Sequence, residues 1–282
     1  MSTKASYKRA WQLFHEFASL YNFAKAVPLS LEAVIMFISY LNMLGYKPKT
    51  IDSMMSGLGY VHKVYGYDKT QDTTNHFIVR KVLHSLRKNN PSEDLRLPIT
   101  IEILQRIIPR LREIGLNAFL QSMYRAMFLL SFYAFLRLGE VTQSPHNLQY
   151  KDIHIRLSSI LVQFHSHKHS TGKTTTIEVN RQNDNTLCPV QALEDFLKRR
   201  GTKPGPLFIC RNTPITRADA VGILKKIIEL ENIPSKHFNG HSFRIGAATT
   251  FAAKGASDSQ LREWGRWNSD AFKKYIRKPI NI

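Results

Sequence analysis

Apolar and polar positions along the first ninety residues repeat at helical spacing. In SYKRAWQLFHEFASLY, Tyr7, Trp11, Phe14, Phe17 and Ala18 fall on one face. LSLEAVIMFISYLNML follows, with Ser30 placed to cap it. KPKTIDSMMSGLGYVHKVYG opens at Pro48 or Thr50 and stops at Gly66, and NHFIVRKVLHSLRKN starts near Asn75. The pattern predicts a helical unit over residues 1–90. NNPSEDLRLP is polar with two prolines and reads as a connector, assigned to residues 91–98.

From residue 99 to 282 the periodicity is mixed. ITIEILQRIIPRLREIG and NAFLQSMYRAMFLLSFYAF read as helices, the second so apolar toward its end that it is expected inside a core. KDIHIRL, SILVQFHSH and TTTIEV alternate as strands do, and KHSTGK between the last two predicts a hairpin. CPVQALEDFLKRRG returns to helix with Pro189 in its first turn, PLFIC reads as one more short strand, and helices fill the rest. The expected fold is mainly α with a small antiparallel β-sheet, divided into a helical N-terminal domain and an α+β second domain.

Charge narrows the function. The chain has 282 residues, 40 Lys and Arg against 21 Asp and Glu, a formal charge of +19 and a pI near 10.0. The excess is spread: +7 over residues 1–90 and +12 over the remainder. A basic surface on both parts points to one long polyanion, with nucleic acid ahead of a membrane surface. Two cysteines, Cys188 and Cys210, are too few for a disulfide scaffold and lack metal-ligand spacing, which favours a reducing, intracellular setting. No apolar run is long enough for a membrane span, and MSTKASYKRAWQLF lacks the apolar core of a signal peptide.

Four places in the second part can carry chemistry. FLRLGEV presents Arg137 and Glu140 directly after a buried helix end, and a guanidinium fork there suits two phosphate oxygens. FHSHKHSTGK sets Lys168 and Lys173 on a hairpin tip, where a lysine can deliver a proton to a leaving oxygen. Its alternating His165, His167 and His169 make a poor metal cage without a carboxylate or thiolate partner. In GHSFRIGAATTFAAKG, His241 and Arg244 share one face of the helix they begin, and a helix N-terminus favours an anion. GRWNSDAFKKYIR places the phenol of Tyr275 among Lys273, Lys274 and Arg277. Nearby cations favour a phenolate and hold a phosphate beside it. Taken singly, each has a plain structural reading as a surface ion pair, a solvated turn, a capping His or a half-buried aromatic with Phe272 and Ile276.

Together these motifs resemble the tyrosine recombinases, the phage-integrase family. FLRLGEV is similar to the family's first-arginine motif, HSFR to its His-x-x-Arg motif and GRWNSDAFKKYIR to its nucleophile motif, with the lysine hairpin lying between the first arginine and the His-x-x-Arg pair. The match spans roughly residues 98–278, and residues 5–89 more loosely resemble the family's SAM-like core-binding domain. HSFRIGAATT and GRW–SDAF–YIR look most like recombinases of animal mobile elements of the DIRS or Crypton kind.

The resemblance implies site-specific DNA strand exchange, with Tyr275 as nucleophile forming a 3′-phosphotyrosine. Arg137 and Arg244 hold the phosphate, Lys168 serves as the acid with Lys173 as the other candidate, His241 hydrogen-bonds the phosphate or assists proton transfer, and Glu140 orients its neighbours. It also implies double-stranded DNA as partner, a homo-oligomer (a tetramer) on it, no metal, ATP or small-molecule cofactor, and a nuclear location in a eukaryote. Relaxation of DNA by the same nicking chemistry, as in type IB topoisomerases, and a domesticated non-catalytic DNA-binding protein remain as alternatives. Two departures stand out. The family's His or Trp usually lies nine residues before the tyrosine, a slot that Arg266 fills. Trp267 lies eight before Tyr275 but at the usual distance after Arg244, so a one-residue deletion favours Trp267 and leaves Arg266 as the other candidate. Only seven residues follow Tyr275, where many relatives carry a helix that docks on a neighbouring subunit, so the resemblance does not carry that mode of assembly.

Overall fold

The computed structural model describes residues 3–91, 94–165 and 174–277. The chain divides into two compact units, Met1–Asp94 and Leu95–Ile282.

In the first unit the expected helices form as α1 (Thr3–Leu20), α2 (Leu31–Met43), α3 (Pro48–Val64) and α4 (Phe77–Asn89). Ser30 caps α2 by accepting from Ala33 N, Pro48 opens α3, and Gly66 follows α3 with φ +85°. Helix α4 starts two residues later than its sequence suggests, because Asp72 accepts from Thr74 N and winds Thr73–Asn75 into a 3₁₀ turn first. The buried face of α1 is Ala10, Leu13, Phe14, Phe17 and Ala18, rotated from the predicted one. Tyr7 and Trp11 sit at its margin, and Ala10 and Tyr7 both lie close against Gly57 where α1 crosses α3.

One polar knot is sealed in this core. Leu29 N donates to Nε2 of His62 at 3.2 Å, so the ring proton sits on Nδ1 and is donated to Asp72 at 2.8 Å. Thr74 and Asn75 also donate to Asp72. With partners on both ring nitrogens and both carboxylate oxygens, the knot is structural.

The second unit begins with α5 (Ile101–Arg110), shorter than its pattern suggests. Pro109 removes a backbone donor, and i+3 turns continue until Gly115 at φ +73°. Helix α6 (Ala118–Tyr133), capped by Asn117, is buried along its second half and packs on α8 (Pro189–Arg200) and on α10 (Ser242–Ala253). A short α7 (Leu138–Val141) comes after α6. Strands β1 (Ile153–Ile155), β2 (Ser159–Phe164) and β3 (Thr175–Asn180) form an antiparallel sheet in that order, with Phe164 opposite Thr175 at its end. Ile160, Val162, Phe164, Ile177 and Val179 make its buried face. The PLFIC strand reduces to β4 (Ile209–Cys210), paired with β5 (Thr213–Pro214). Helices α9 (Arg217–Glu229) and α11 (Asp258–Gly265) complete the unit with a terminal 3₁₀ helix, Asp270–Tyr275.

Two backbone features fix the surroundings of α10 and α11. The entry segment is bonded to the chain around α10: Leu97 N donates to His237 O at 3.0 Å and Ile99 N to Ser242 O at 2.9 Å. At Gly246 the helix touches the Ile99 backbone with no room for even a methyl group. The other feature is a pair of alike helix ends. After α6, Phe135 N bonds Phe132 O and Leu136 N bonds Ser131 O; after α11, Arg266 N bonds Glu263 O and Trp267 N bonds Arg262 O. Both are Schellman closures whose left-handed residue is usually glycine, yet Phe135 (φ +50°) and Arg266 (φ +54°) occupy them.

Candidate active site

The apolar second half of α6 buries the helix up to Leu136, so the next residue, Arg137, is delivered at the end of a fixed rod. Arg137 sits at the N-cap of α7. Its amide donates to Glu140 Oε2 at 2.8 Å and its Nη1 to Oε1 at 3.2 Å, while its guanidinium remains about a quarter exposed. Glu140 is buried at the base of the site. Burial raises its carboxyl pKa, but the charge and hydrogen bonds of Arg266, then those of Arg137, outweigh burial and hold it below the ordinary range.

Arg244 lies in the first turn of α10 and is 1% exposed. Its Nη1 donates to Phe135 O at 2.5 Å and its Nη2 to Gly265 O. Its guanidinium carbon lies 4.1 Å from the ring centre of Trp267 and 5.9 Å from that of Tyr275. Nε has no partner among the described residues. Burial, then Arg137 and Arg266, push its pKa well down, but a guanidinium starts so high that it stays a cation at neutral pH.

His241 caps the start of α10, its amide held by Asn239 Oδ1 at 2.9 Å. Its ring stacks on Tyr275, centroids 6.3 Å apart. Burial, followed by the charges of Arg96, Arg217, Arg244 and Arg137, lowers its pKa from 6.5 to about 4. The imidazole is therefore neutral at pH 7, with one ring nitrogen available as a hydrogen-bond acceptor.

Tyr275 closes the 3₁₀ helix rather than lying on an α-helix. In 3₁₀ winding positions i and i+3 eclipse, so Phe272 and Tyr275 share the inner side and Ile276 turns outward. Phe272 is fully buried against Trp267, and Thr249 on α10 clamps the segment: its hydroxyl donates to Tyr275 O at 3.2 Å and accepts from Arg277 N at 3.1 Å.

The two candidates for the residue before the tyrosine part company here. Trp267 packs between Arg244 and Tyr275, 5.2 Å from the latter's ring, over Gly265, where a side chain would collide with the indole. Arg266 turns the other way. It donates through Nη1 and Nη2 to the two oxygens of Glu140 at 2.9 and 3.0 Å and through Nη2 to Phe135 O at 3.2 Å, and it covers the ring of Phe164. Lys168 and Lys173, with His167 and His169, lie outside the described residues. His165 sits just past β2, 3.3 Å from Asp152 Oδ1.

Arg137, Glu140, His241, Arg244, Arg266, Trp267 and Tyr275 thus form one contiguous cluster. The contributions of Phe135 O, Gly265 O and Thr249 carry no sequence signal, because backbone acceptors and a lone helix threonine look the same anywhere. With three guanidiniums, one carboxylate and a neutral imidazole, the cluster holds surplus positive charge around a phenol. Such a site suits a phosphodiester whose reaction accumulates negative charge. No helix among the described residues is long and apolar enough to cross a membrane.

Comparison with known proteins agrees in kind. The profile of the phage integrase family matches residues 101–278. An integrase/recombinase xerD homolog from Selenomonas ruminantium is 23% identical over 262 residues, covering 89% of this chain and 74% of the relative. Among solved structures, the XerH site-specific recombinase bound to a palindromic difH substrate superposes with a TM-score of 0.71 at 16% identity, over 96% of this chain and 74% of that one. The Tn1549 transposon integrase in complex with transposon right end DNA gives 0.61 at 16% identity, over 96% and 95%. A lambda integrase dimer bound to a COC′ core site gives 0.62 at 13% identity, over 98% and 72%. At these identities the structural likeness establishes the fold.

Proposed function

The chain belongs to the phage integrase family, and from that membership we propose that it is a site-specific DNA recombinase whose nucleophile is Tyr275. The observation that carries this reading is the buried Arg244, its guanidinium against the rings of Trp267 and Tyr275 with Nε unpartnered among the described residues. A cation held that way, with little solvent, serves an anion brought to the phenol.

In the proposed reaction the Tyr275 oxygen attacks a DNA phosphorus. The new O–P bond forms as the bond to the 5′-oxygen breaks, leaving a 3′-phosphotyrosine. His241 hydrogen-bonds the phosphate or takes the phenol proton once the negative phosphodiester beside it offsets the arginine charges and raises its basicity, and the leaving oxygen takes a proton from the hairpin lysine, Lys168, with Lys173 as the other candidate. Arg137 and Arg244 hold the non-bridging oxygens and offset the charge that grows on them. The phosphoester is conserved in the intermediate, so a 5′-hydroxyl of another strand can reverse the step and exchange strands without ATP. Double-stranded DNA is the substrate, bound by a homo-oligomer, and residues 1–90 serve as its second DNA-binding domain, joined through 91–98. The phrases HSFRIGAATT and GRW–SDAF–YIR support kinship with recombinases of DIRS- or Crypton-type elements.

The test is covalent capture. A randomised pool of nicked suicide duplexes is incubated with the protein in EDTA, and protein-linked DNA is recovered and sequenced. Wild type is expected to form adducts. Tyr275→Phe, which removes one oxygen and leaves the packing intact, is expected to bind the recovered duplex equally and form none. Adduct formed by Tyr275→Phe would place the nucleophile elsewhere. Binding with no adduct from wild type would favour the non-catalytic DNA-binding alternative. Relaxation of a plasmid without strand exchange would favour the topoisomerase alternative.

A further inference from the structure

We infer that Arg266 is a positioning residue that occupies Glu140 so that Arg137 keeps its charge for the substrate. The inference rests on the strand-cleavage reading for its chemistry, but its electrostatic part can be measured without DNA.

Two arginines compete for one carboxylate. Glu140 has two oxygens, and Arg266 donates one Nη to each, at 2.9 and 3.0 Å. That fork-on-fork pairing is the strong form of the contact. Arg137 reaches the same carboxylate through one side-chain bond, 3.2 Å long, and through its backbone amide. The competition is unequal in burial as well. The Arg266 side chain is 3% exposed and the Arg137 side chain 24%, so the first is committed to the interior while the second is partly exposed and holds Glu140 by a single side-chain bond. Arg266 is also tied to the other phosphate-facing arginine, because Phe135 O accepts from both Arg266 Nη2 and Arg244 Nη1.

In charge terms, Arg266 and Glu140 cancel, and the two positive charges of Arg137 and Arg244 remain. If Arg266 were removed, the buried carboxylate would still need a cation. Arg137 is the one already within reach, so it would swing into a bidentate pair and be neutralised. The site would lose one of two charges without losing either arginine. The backbone agrees with a purpose at this position. Arg266 sits in a left-handed turn that glycine fills with less strain, so the arginine is held there for its side chain.

The test uses three variants of the full chain. Arg266→Gly removes the guanidinium at a backbone position that glycine accepts. Arg266→Lys keeps the charge without the fork. Arg266→Gly combined with Glu140→Gln removes both members of the cancelling pair. The first readout is the rate of adduct formation on a duplex recovered by covalent capture. The second is the concentration of tungstate, a tetrahedral oxyanion, that half-maximally raises the melting temperature.

Arg266→Gly is expected to slow adduct formation by about a hundredfold, the scale of losing one charge-stabilising donor, and to weaken tungstate about tenfold. Arg266→Lys should lose less in both. The double variant should recover most of what Arg266→Gly lost, because no stranded carboxylate remains to capture Arg137. A role confined to packing predicts the opposite order, with two defects adding so that the double variant is no better than Arg266→Gly, and that result would overturn the inference. If wild type forms no adduct yet tungstate affinity follows the expected order, the strand-cleavage reading fails and the charge role of Arg266 stands. If adduct forms but neither readout recovers in the double variant, the charge role fails and the reading stands.

Discussion

Two buried arginines in the second unit, Arg200 at the end of α8 and Arg244 at the start of α10, show how the same side chain serves different ends. Arg200 spends its donors on backbone. Nε bonds Leu207 O, Nη1 bonds Gly201 O and Lys203 O, and Nη2 bonds Pro206 O, while the guanidinium lies over the ring of Tyr150. It fastens the chain between α8 and β4, and its nitrogens are all engaged. Arg244 has two carbonyl acceptors, an Nε with no partner among the described residues, and other cations for neighbours. Burial alone does not distinguish a structural cation from a working one. An open donor alone does not either, since Nε of Arg266 also lacks a partner among the described residues while its Nη atoms are spent on Glu140. What sets Arg244 apart is an open donor with no carboxylate bonded to it among the described residues, and an unsatisfied buried donor costs free energy that a ligand can return.

That contrast breaks first at Arg244. Arg244→Met, similar in length and apolar, is expected to lower adduct formation by about 10²–10³-fold, roughly 3–4 kcal/mol of transition-state stabilisation, with DNA affinity reduced far less. Its melting temperature should change less than that of the partner experiment, because a buried unpaired charge leaves with the side chain. The partner experiment is Arg200→Met. It strands four carbonyls, and is expected to cost about 3 kcal/mol of unfolding free energy while the rate per folded molecule stays within about twofold. Denaturant melts and single-turnover cleavage on both variants check the pair, and a stability loss at Arg244→Met equal to that at Arg200→Met would erase the distinction.

The smallest effect concerns pH. The pKa of His241 is depressed in the folded chain to about 4 from 6.5, so between those values the unfolded chain binds a proton that the folded chain does not. Stability from this group is therefore full above pH 6.5 and is lost as pH falls toward 4. His241→Gln should flatten that part of the stability profile. An NMR titration of the wild-type imidazole should show no protonation near 6.5, and a midpoint there would contradict the electrostatic picture.

Much of this was readable in the sequence because it depended on local rules. Ser30, Pro48, Gly66 and Pro189 act on their own neighbours, and the alternation of β2 reports the face it buries. Three of the four motifs, FLRLGEV, HSFR and GRWNSDAFKKYIR, could be picked out because each pairs a chemically capable residue with an abrupt break in apolar pattern, and their side chains lie in one cluster; the lysines of the fourth lie outside the described residues. What was not legible depended on which acceptor a long side chain finds across the fold. Counting residues back from Tyr275 set Arg266 and Trp267 against each other for one slot, yet they point in opposite directions from one turn and meet different partners. The face of α1 depends on its contacts with another helix, Gly57 among them. The sequence rule for a Schellman turn looks for glycine, and Phe135 and Arg266 violate it at the two places where a carbonyl and a guanidinium are wanted inside.

The stitching of Leu97 and Ile99 to the chain around α10 also bears on how the protein can be dissected. The first helix of the second unit begins at Ile101, and a fragment cut there would look complete by its helices. It would lack the amides that meet His237 O and Ser242 O, and it would open the groove in which Gly246 lies against Ile99. The turn that presents His241 and Arg244 would then be free to fray, so such a piece would keep most of its hydrophobic core, without Ile99, and lose the alignment of its reactive groups. A fragment starting at Leu95 keeps both stitches.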